Sequence, residues 1–130
     1  MKNIFKGMGL LLAVTLGLQA YSQIDRIKDM QTMASAMEAI QKGILYNNKK
    51  MVSDGAEQLK GAAAKVEVSP KGEMDFSASF AKNKSKNIMK YAEKIKSNID
   101  AGHKHGAAAN YTKALGECIS CHNKIRKWNQ

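Results

Sequence analysis

The stretch "AANYTKALGECISCHNKI", residues 108–125, decides how the chain is read. Ala108, Tyr111, Leu115, Cys118, His122 and Ile125 recur at spacings of three and four, the period of one face of an α-helix. The spacing predicts a helix with Cys118 and His122 on its buried stripe. Positions i, i+3 and i+4 share a helix face, so Cys118, Cys121 and His122 can address one flat ligand together. In order they spell C-x-x-C-H, the attachment signature of a c-type haem. Two thiols at this spacing can add to the two vinyl groups of one porphyrin, and the adjacent imidazole is a standard proximal base for the iron.

Outward from this segment the whole chain keeps helical time. Apolar residues spaced by three and four predict helices over 24–46, 48–66, 76–101 and 104–128, and no strand pattern competes. The expected inward stripes are Ile27, Met30, Ala34, Met37, Gln41 and Ile44 in the first helix, and Val52, Ala56, Leu59, Ala63 and Val66 in the second. Phe80, Ile88, Ala92, Ile95 and Ile99 form the third, with the lysines of that segment mostly outward. Gly55 and Gly61 weaken the second helix, since a glycine costs about 1 kcal/mol against alanine in a helix interior. The segment "VSPKGEMD", residues 68–75, is the one clear loop, and Gly102 is a natural helix stop. Four such helices with mostly short turns predict an all-α fold, an antiparallel four-helix bundle whose core can house a cofactor. The stripes are rich in alanine and methionine, so the core is under-filled by the chain alone, and a covalently attached haem would complete it.

A chain of 130 residues with a single proline is one domain. Residues 1–22 read as a secretory signal peptide: Lys2 and Lys6, an apolar run over 8–18, then small residues placed for cleavage after Ala20 or Ser22. The expected mature domain is 23–130. The apolar run falls short of the roughly 20 residues that span a bilayer, so no stable membrane insertion is expected, and export points to the periplasm. The formal charge of +10 becomes +8 once Lys2 and Lys6 are removed. Such a surface suits an anionic partner, here a redox protein with an acidic docking face. The lysines are scattered along every segment, which argues against a nucleic-acid site. A monomer and a homodimer are both compatible with this reading.

Other uses of the two thiols fit less well. A dithiol redox motif prefers a helix start after a strand, whereas this pair lies deep in a terminal helix. A zinc site would need a fourth ligand, and His103 and His105 lie about 25 Å of helical rise from His122.

The motif and its position in the last of four helices resemble the class II cytochromes c, which include cytochrome c prime and its low-spin relatives. The resemblance covers nearly the whole mature chain. In that family an arginine follows the haem histidine by four residues, here Arg126 in "CHNKIRKW". The first helix of that family carries an arginine and, four residues on, the residue that faces the distal side of the haem; "RIKDMQTMASAM" supplies Arg26 and Met30. Typical cytochrome c prime has an apolar residue there and a five-coordinate iron, so Met30 implies the six-coordinate branch. The stretch "DMQTMASAMEAI" is also similar to the first helix of the soluble b-type four-helix cytochrome, where a methionine ligates the iron.

Met30 lies near the start of the first helix, which an antiparallel bundle sets beside the end of the last, where His122 sits. Met37 is one heptad further on, about 10 Å along the axis. Met33, or no protein group, remains an alternative sixth ligand, and any of these methionines can be core filler. Arg26 and Arg126 would pair with haem propionates or remain solvated charges. The expectation is therefore a non-enzymatic, mono-haem electron carrier with iron held by His122 and Met30. A five-coordinate protein that binds nitric oxide or carbon monoxide is the alternative. A peroxidase is the weakest reading, because the first helix offers no histidine as distal acid or base.

Overall fold

The computed structural model describes residues 21–67 and 78–125. The candidate signal segment up to residue 20, the Pro70 loop, the expected start of the third helix at 76 and the chain from Arg126 onward lie outside the described residues. The remainder forms α1 (Gln23–Leu45), α2 (Lys49–Ala63), α3 (Ala78–Asp100) and α4 (Lys104–Ile125), with no strand among the described residues.

The four helices pack as a ring. α1 lies on α2, α2 on α3 and α3 on α4, while α4 returns to α1 by a much lighter contact. Cross-links fix the directions. Lys60 Nζ pairs with Glu93 at 2.6 Å, and the Ser85 hydroxyl donates to the Ala63 carbonyl, so α2 and α3 run oppositely. Lys84 pairs with Glu117 at 2.9 Å near one end of α3 and α4, while Gly106 lies against Asn98 near the other. Lys104 at the start of α4 donates to Asn47 Oδ1 at 2.6 Å, beside the end of α1. The arrangement fits an antiparallel four-helix bundle.

Local chemistry sets the ends of the helices. Ser22 caps α1: its hydroxyl accepts from the Asp25 N–H at 3.1 Å, and the Asp25 carboxylate accepts from the Ser22 N–H at 2.9 Å. The Ser22 hydroxyl, which donates to Asp25 Oδ2 at 2.6 Å, and the Ser22 N–H together hold the Asp25 carboxyl below its ordinary value. Just ahead, the Tyr21 hydroxyl donates to the buried Asp29 carboxylate at 2.8 Å, so Tyr21 and Ser22 already belong to the packed structure. Asn47 turns the chain at φ 56°, a left-handed conformation that asparagine tolerates, and Asn48 caps α2 by accepting from the Met51 N–H. Gly102, at φ 78°, stops α3 as its position suggests: its N–H bonds Ile99 and the His103 N–H bonds Asn98.

The core centres on Ile40, Val52, Leu59 and Ile95, surrounded by buried alanines. The expected stripes of α2 and α3 are largely the buried ones, with Ala81 and Ser85 added, Phe80 only half-buried, and Val66 half-buried beyond the end of α2 at Ala63. α1 is rotated from its expected register. Its buried residues are Asp29, Met33, Ala36, Met37, Ile40 and Gly43, while Ile27, Ala34 and Gln41 are exposed. The cause is the α1–α2 seam. A Cβ on Gly55 would lie 3.0 Å from Ile40 and 3.1 Å from the Ala36 carbonyl, and one on Gly43 only 2.6 Å from Val52. The two backbones meet at these glycines, which turns the Ala36–Ile40 face of α1 toward α2 and leaves the 26–30–34 edge looking toward α4. Gly55 thus closes a seam, whereas Gly61 is exposed with no neighbour near its missing Cβ.

Candidate functional site

α4 buries Ala107 and Ala114 completely, and the stripe expected to be buried lies to one side of them. Tyr111, Cys118 and Cys121 are half-buried, while Leu115, Ile119 and His122 are exposed. This corrects the expectation that Cys118 and His122 sit within a packed core. The alanines bring α4 against α3, and the larger side chains then border the lightly closed α1–α4 side.

There they form one wall of a cleft of about 270 Å³. The α4 wall presents Leu115, Cys118, Ile119, Cys121 and His122. Opposite, α1 presents Arg26, Met30, Met33, Ala34 and Met37. The floor is Ala81, Lys84, Ser85 and Ile88 from α3, with Ala63 and Val66 at the end of α2. Every site residue expected from the sequence and described by the structure therefore borders one cavity, namely Cys118, Cys121, His122, Met30 and Arg26. Arg126 lies outside the described residues.

Both cysteines are free thiols, one helical turn apart. Burial pushes the Cys118 thiol up from its ordinary value, and burial does the same to Cys121, opposed by the positive charge of Lys84. At neutral pH both are protonated, which makes them poor spontaneous nucleophiles and poor anionic metal ligands. Among the described residues no three His, Cys, Asp or Glu side chains gather to hold a bare metal ion. The cleft suits an apolar ligand instead, since its lining is mostly hydrocarbon, sulfur and aromatic imidazole, with Arg26, Lys84 and Ser85 as the other polar groups.

The three methionines differ in burial. Met33 and Met37 are 6% and 7% exposed and belong to the core cluster, whereas Met30 is half-buried and only packs against its edge. Of the three, Met30 has the least to do with core packing.

Two residues escaped the sequence reading. Lys84 sits in a lysine-rich helix that reads as a solvated face, and Glu117 merely precedes the first cysteine. They form the least exposed ion pair among the described residues, with side chains 22% and 17% exposed, on the cavity side of the α3–α4 seam. Phe80 lies beneath Lys84 and Lys124, whose ammonium nitrogens are 5.5 and 4.9 Å from its ring centre. Only the (i, i+4) spacing of Phe80 and Lys84 was visible in one dimension; the pairing across helices was not.

No family model, no curated protein and no solved structure matches the chain.

Proposed function

We propose that the protein is an exported mono-haem cytochrome of the c type that carries single electrons. Cys118 and Cys121 would hold the haem through thioether bonds, and His122 and Met30 would ligate its iron. The observation that carries this reading is the convergence of the C-x-x-C-H residues and Met30 on opposite walls of one apolar cleft. The residues fit the group: thiols and imidazole on α4, a thioether on α1, hydrocarbon between, and Arg26 as a cation for an acid group.

When bound, the haem supplies the one-electron couple. The chain's own part is to hold and shield it. Cys118 and Cys121 would fix the group in the cleft, beside the exposed Leu115 and Ile119. Met33, Ile88 and Ala63 exclude water from the inner side, and a low-dielectric wall raises the potential by disfavouring the more highly charged oxidised state. A half-buried Met30 can reach into the cleft without unpacking the core, so little rearrangement accompanies electron transfer. The α1 wall carries no carboxylate or histidine to serve as a distal acid or base, which speaks for a carrier over a peroxidase. The basic surface favours a redox partner with an acidic docking face over nucleic acid, and no helix among the described residues is long and apolar enough to cross a membrane. The class II cytochromes c remain the family whose pattern the residues match, and the periplasm is the location that the N-terminal segment implies.

The openness of the same cleft favours a second reading, in which the iron is five-coordinate and binds nitric oxide or carbon monoxide. One preparation separates the two. Protein purified from cells able to mature c-type cytochromes is expected to carry one haem that acid-acetone does not extract, and to be low-spin in both oxidation states. A high-spin ferric spectrum turns the assignment to gas binding. Recovery of the bare polypeptide mass ends both readings.

A further inference from the structure

Among the residues lining the cleft, two are cations and none is a carboxylate: Arg26 on the α1 wall and Lys84 on the floor from α3. We infer that Lys84 is an anchor for a carboxylate of the ligand that fills the cleft, working from the opposite side to Arg26. The inference rests on the reading of the cleft as a tetrapyrrole site and adds to it the residue that orients the acid edge.

The argument begins with where Lys84 is held. Its ammonium is drawn to Glu117 at 2.9 Å and lies 5.5 Å from the Phe80 ring centre, so it does not extend into solvent like its neighbours Lys82 and Lys86. A lysine on an exposed helix face gains little by folding inward, because its ammonium is strongly hydrated. Here it is only 22% exposed, which costs hydration that one partner restores incompletely. Glu117 is itself imperfectly served. Its Oε2 is buried and forms no well-oriented hydrogen bond, although Lys84 Nζ is within ion-pair distance. An ammonium has three donors, so Lys84 has hydrogens left for a second acceptor. The free direction is toward the cleft that Lys84 lines.

The chemistry of the occupant follows: an apolar, planar body for the methionine and isoleucine walls, with an acid group at the edge nearest α3. Glu117 competes with that acid for the same ammonium. Removing its charge is therefore expected to strengthen the ligand's hold on Lys84, while removing Lys84 weakens it.

Metal-free protoporphyrin IX and its dimethyl ester share the body and differ only in the acid groups, so the ratio of their affinities reads the anchor. Mature full-length protein made without haem-attachment machinery is titrated with each, following porphyrin fluorescence. The unmutated chain is expected to prefer the diacid. Lys84→Met is expected to cut that preference about five- to tenfold, the size of one partly exposed charge-assisted contact, and Lys84→Arg to keep most of it. Glu117→Gln is expected to raise diacid affinity about two- to fivefold with the ester unchanged. An unchanged diacid-to-ester ratio in Lys84→Met overturns the inference. If Lys84→Met fails to fold, as far-ultraviolet circular dichroism would report, Glu117→Gln decides: diacid affinity that is flat or lower overturns it. Covalent attachment is read separately, by the mass of the unmutated protein from cells that mature c-type cytochromes. A bare mass there defeats the cytochrome reading, while a lost ratio here defeats only the role of Lys84.

Discussion

Replacing the three methionines of α1 by alanine, one at a time, separates core packing from ligation. Met33 and Met37 are 6% and 7% exposed and sit in the central cluster. Truncating a buried methionine to alanine costs about 2–5 kcal/mol, and the lower half of that range applies where a neighbouring cleft lets the site relax. Met33→Ala and Met37→Ala are thus expected to cost the haem-free chain about 2–3 kcal/mol each. Met30 packs only against the cluster's edge, so its truncation is expected to cost about 1 kcal/mol. In a domain of this size the difference is worth roughly 5–10 °C in Tm, well within reach of a thermal melt.

The spectral order is expected to be the reverse. In haem-loaded protein Met30→Ala should abolish the weak near-red sulfur-to-iron band, turn the ferric iron high-spin and sharply raise carbon monoxide affinity. Met33→Ala and Met37→Ala should leave the band in place. The reasoning is refuted if the band survives Met30→Ala, or if the variant that loses it is also the one that costs most in the haem-free melt.

Other perturbations test the frame around the site. In protein that keeps residue 21, as cleavage after Ala20 would leave it, Tyr21→Phe leaves the buried Asp29 carboxylate short of a donor at a cost of about 1–2 kcal/mol, measured by urea denaturation at neutral pH. Burial, reinforced by Asp29, holds the Tyr21 phenol above its ordinary value, so its contribution is present below pH 10 and fades as pH rises further; the unmutated protein should show that alkaline loss and Tyr21→Phe should not. Gly61→Ala, with open space at its Cβ, is expected to stabilise by about 0.5–1 kcal/mol, whereas Gly55→Ala, 3.0 Å from Ile40, should destabilise in the same melt. Reduction by an anionic donor should slow as ionic strength rises through the physiological range, because the positive charge left after Lys2 and Lys6 are removed from the total of +10 steers the encounter. A rate independent of salt would remove charge from the docking argument.

What was legible in the sequence was whatever depends on spacing along one helix. The four helices, the Gly102 stop and the neighbourhood of Cys118, Cys121 and His122 follow from residues three and four apart. The rotation of α1 did not, because it is set by Gly55, a residue of another helix that reads locally as a weak point. Nor did the partial exposure of the α4 stripe: Ala107 and Ala114 compete with Tyr111, Leu115 and Cys118 for the core side, and the smaller residues win where α3 approaches closely. The Lys84–Glu117 pair was hidden for the same reason, since it joins two helices and each partner looks like ordinary surface in its own.

The rotation of α1 also accounts for the cleft. Three seams of the ring are drawn together by small or mutually bonded residues: Gly43 and Gly55 between α1 and α2, Ser85 bonded to Ala63 between α2 and α3, and Gly106 against Asn98 between α3 and α4. Among the described residues the α1–α4 side has the lightest helix contact, and Lys104 bonded to Asn47 ties α4 to the turn at the end of α1. Two walls of medium-sized apolar and sulfur side chains are left bordering a cleft where α1 and α4 touch only lightly. Sequence that had only to complete a bundle would close this side as the other three are closed. Instead that side carries both thiols, His122 and Met30, the α1 methionine that only packs against the edge of the core. Both thiols are half-buried on that side, and on the proposed reading a haem attached to them would supply the fourth seam.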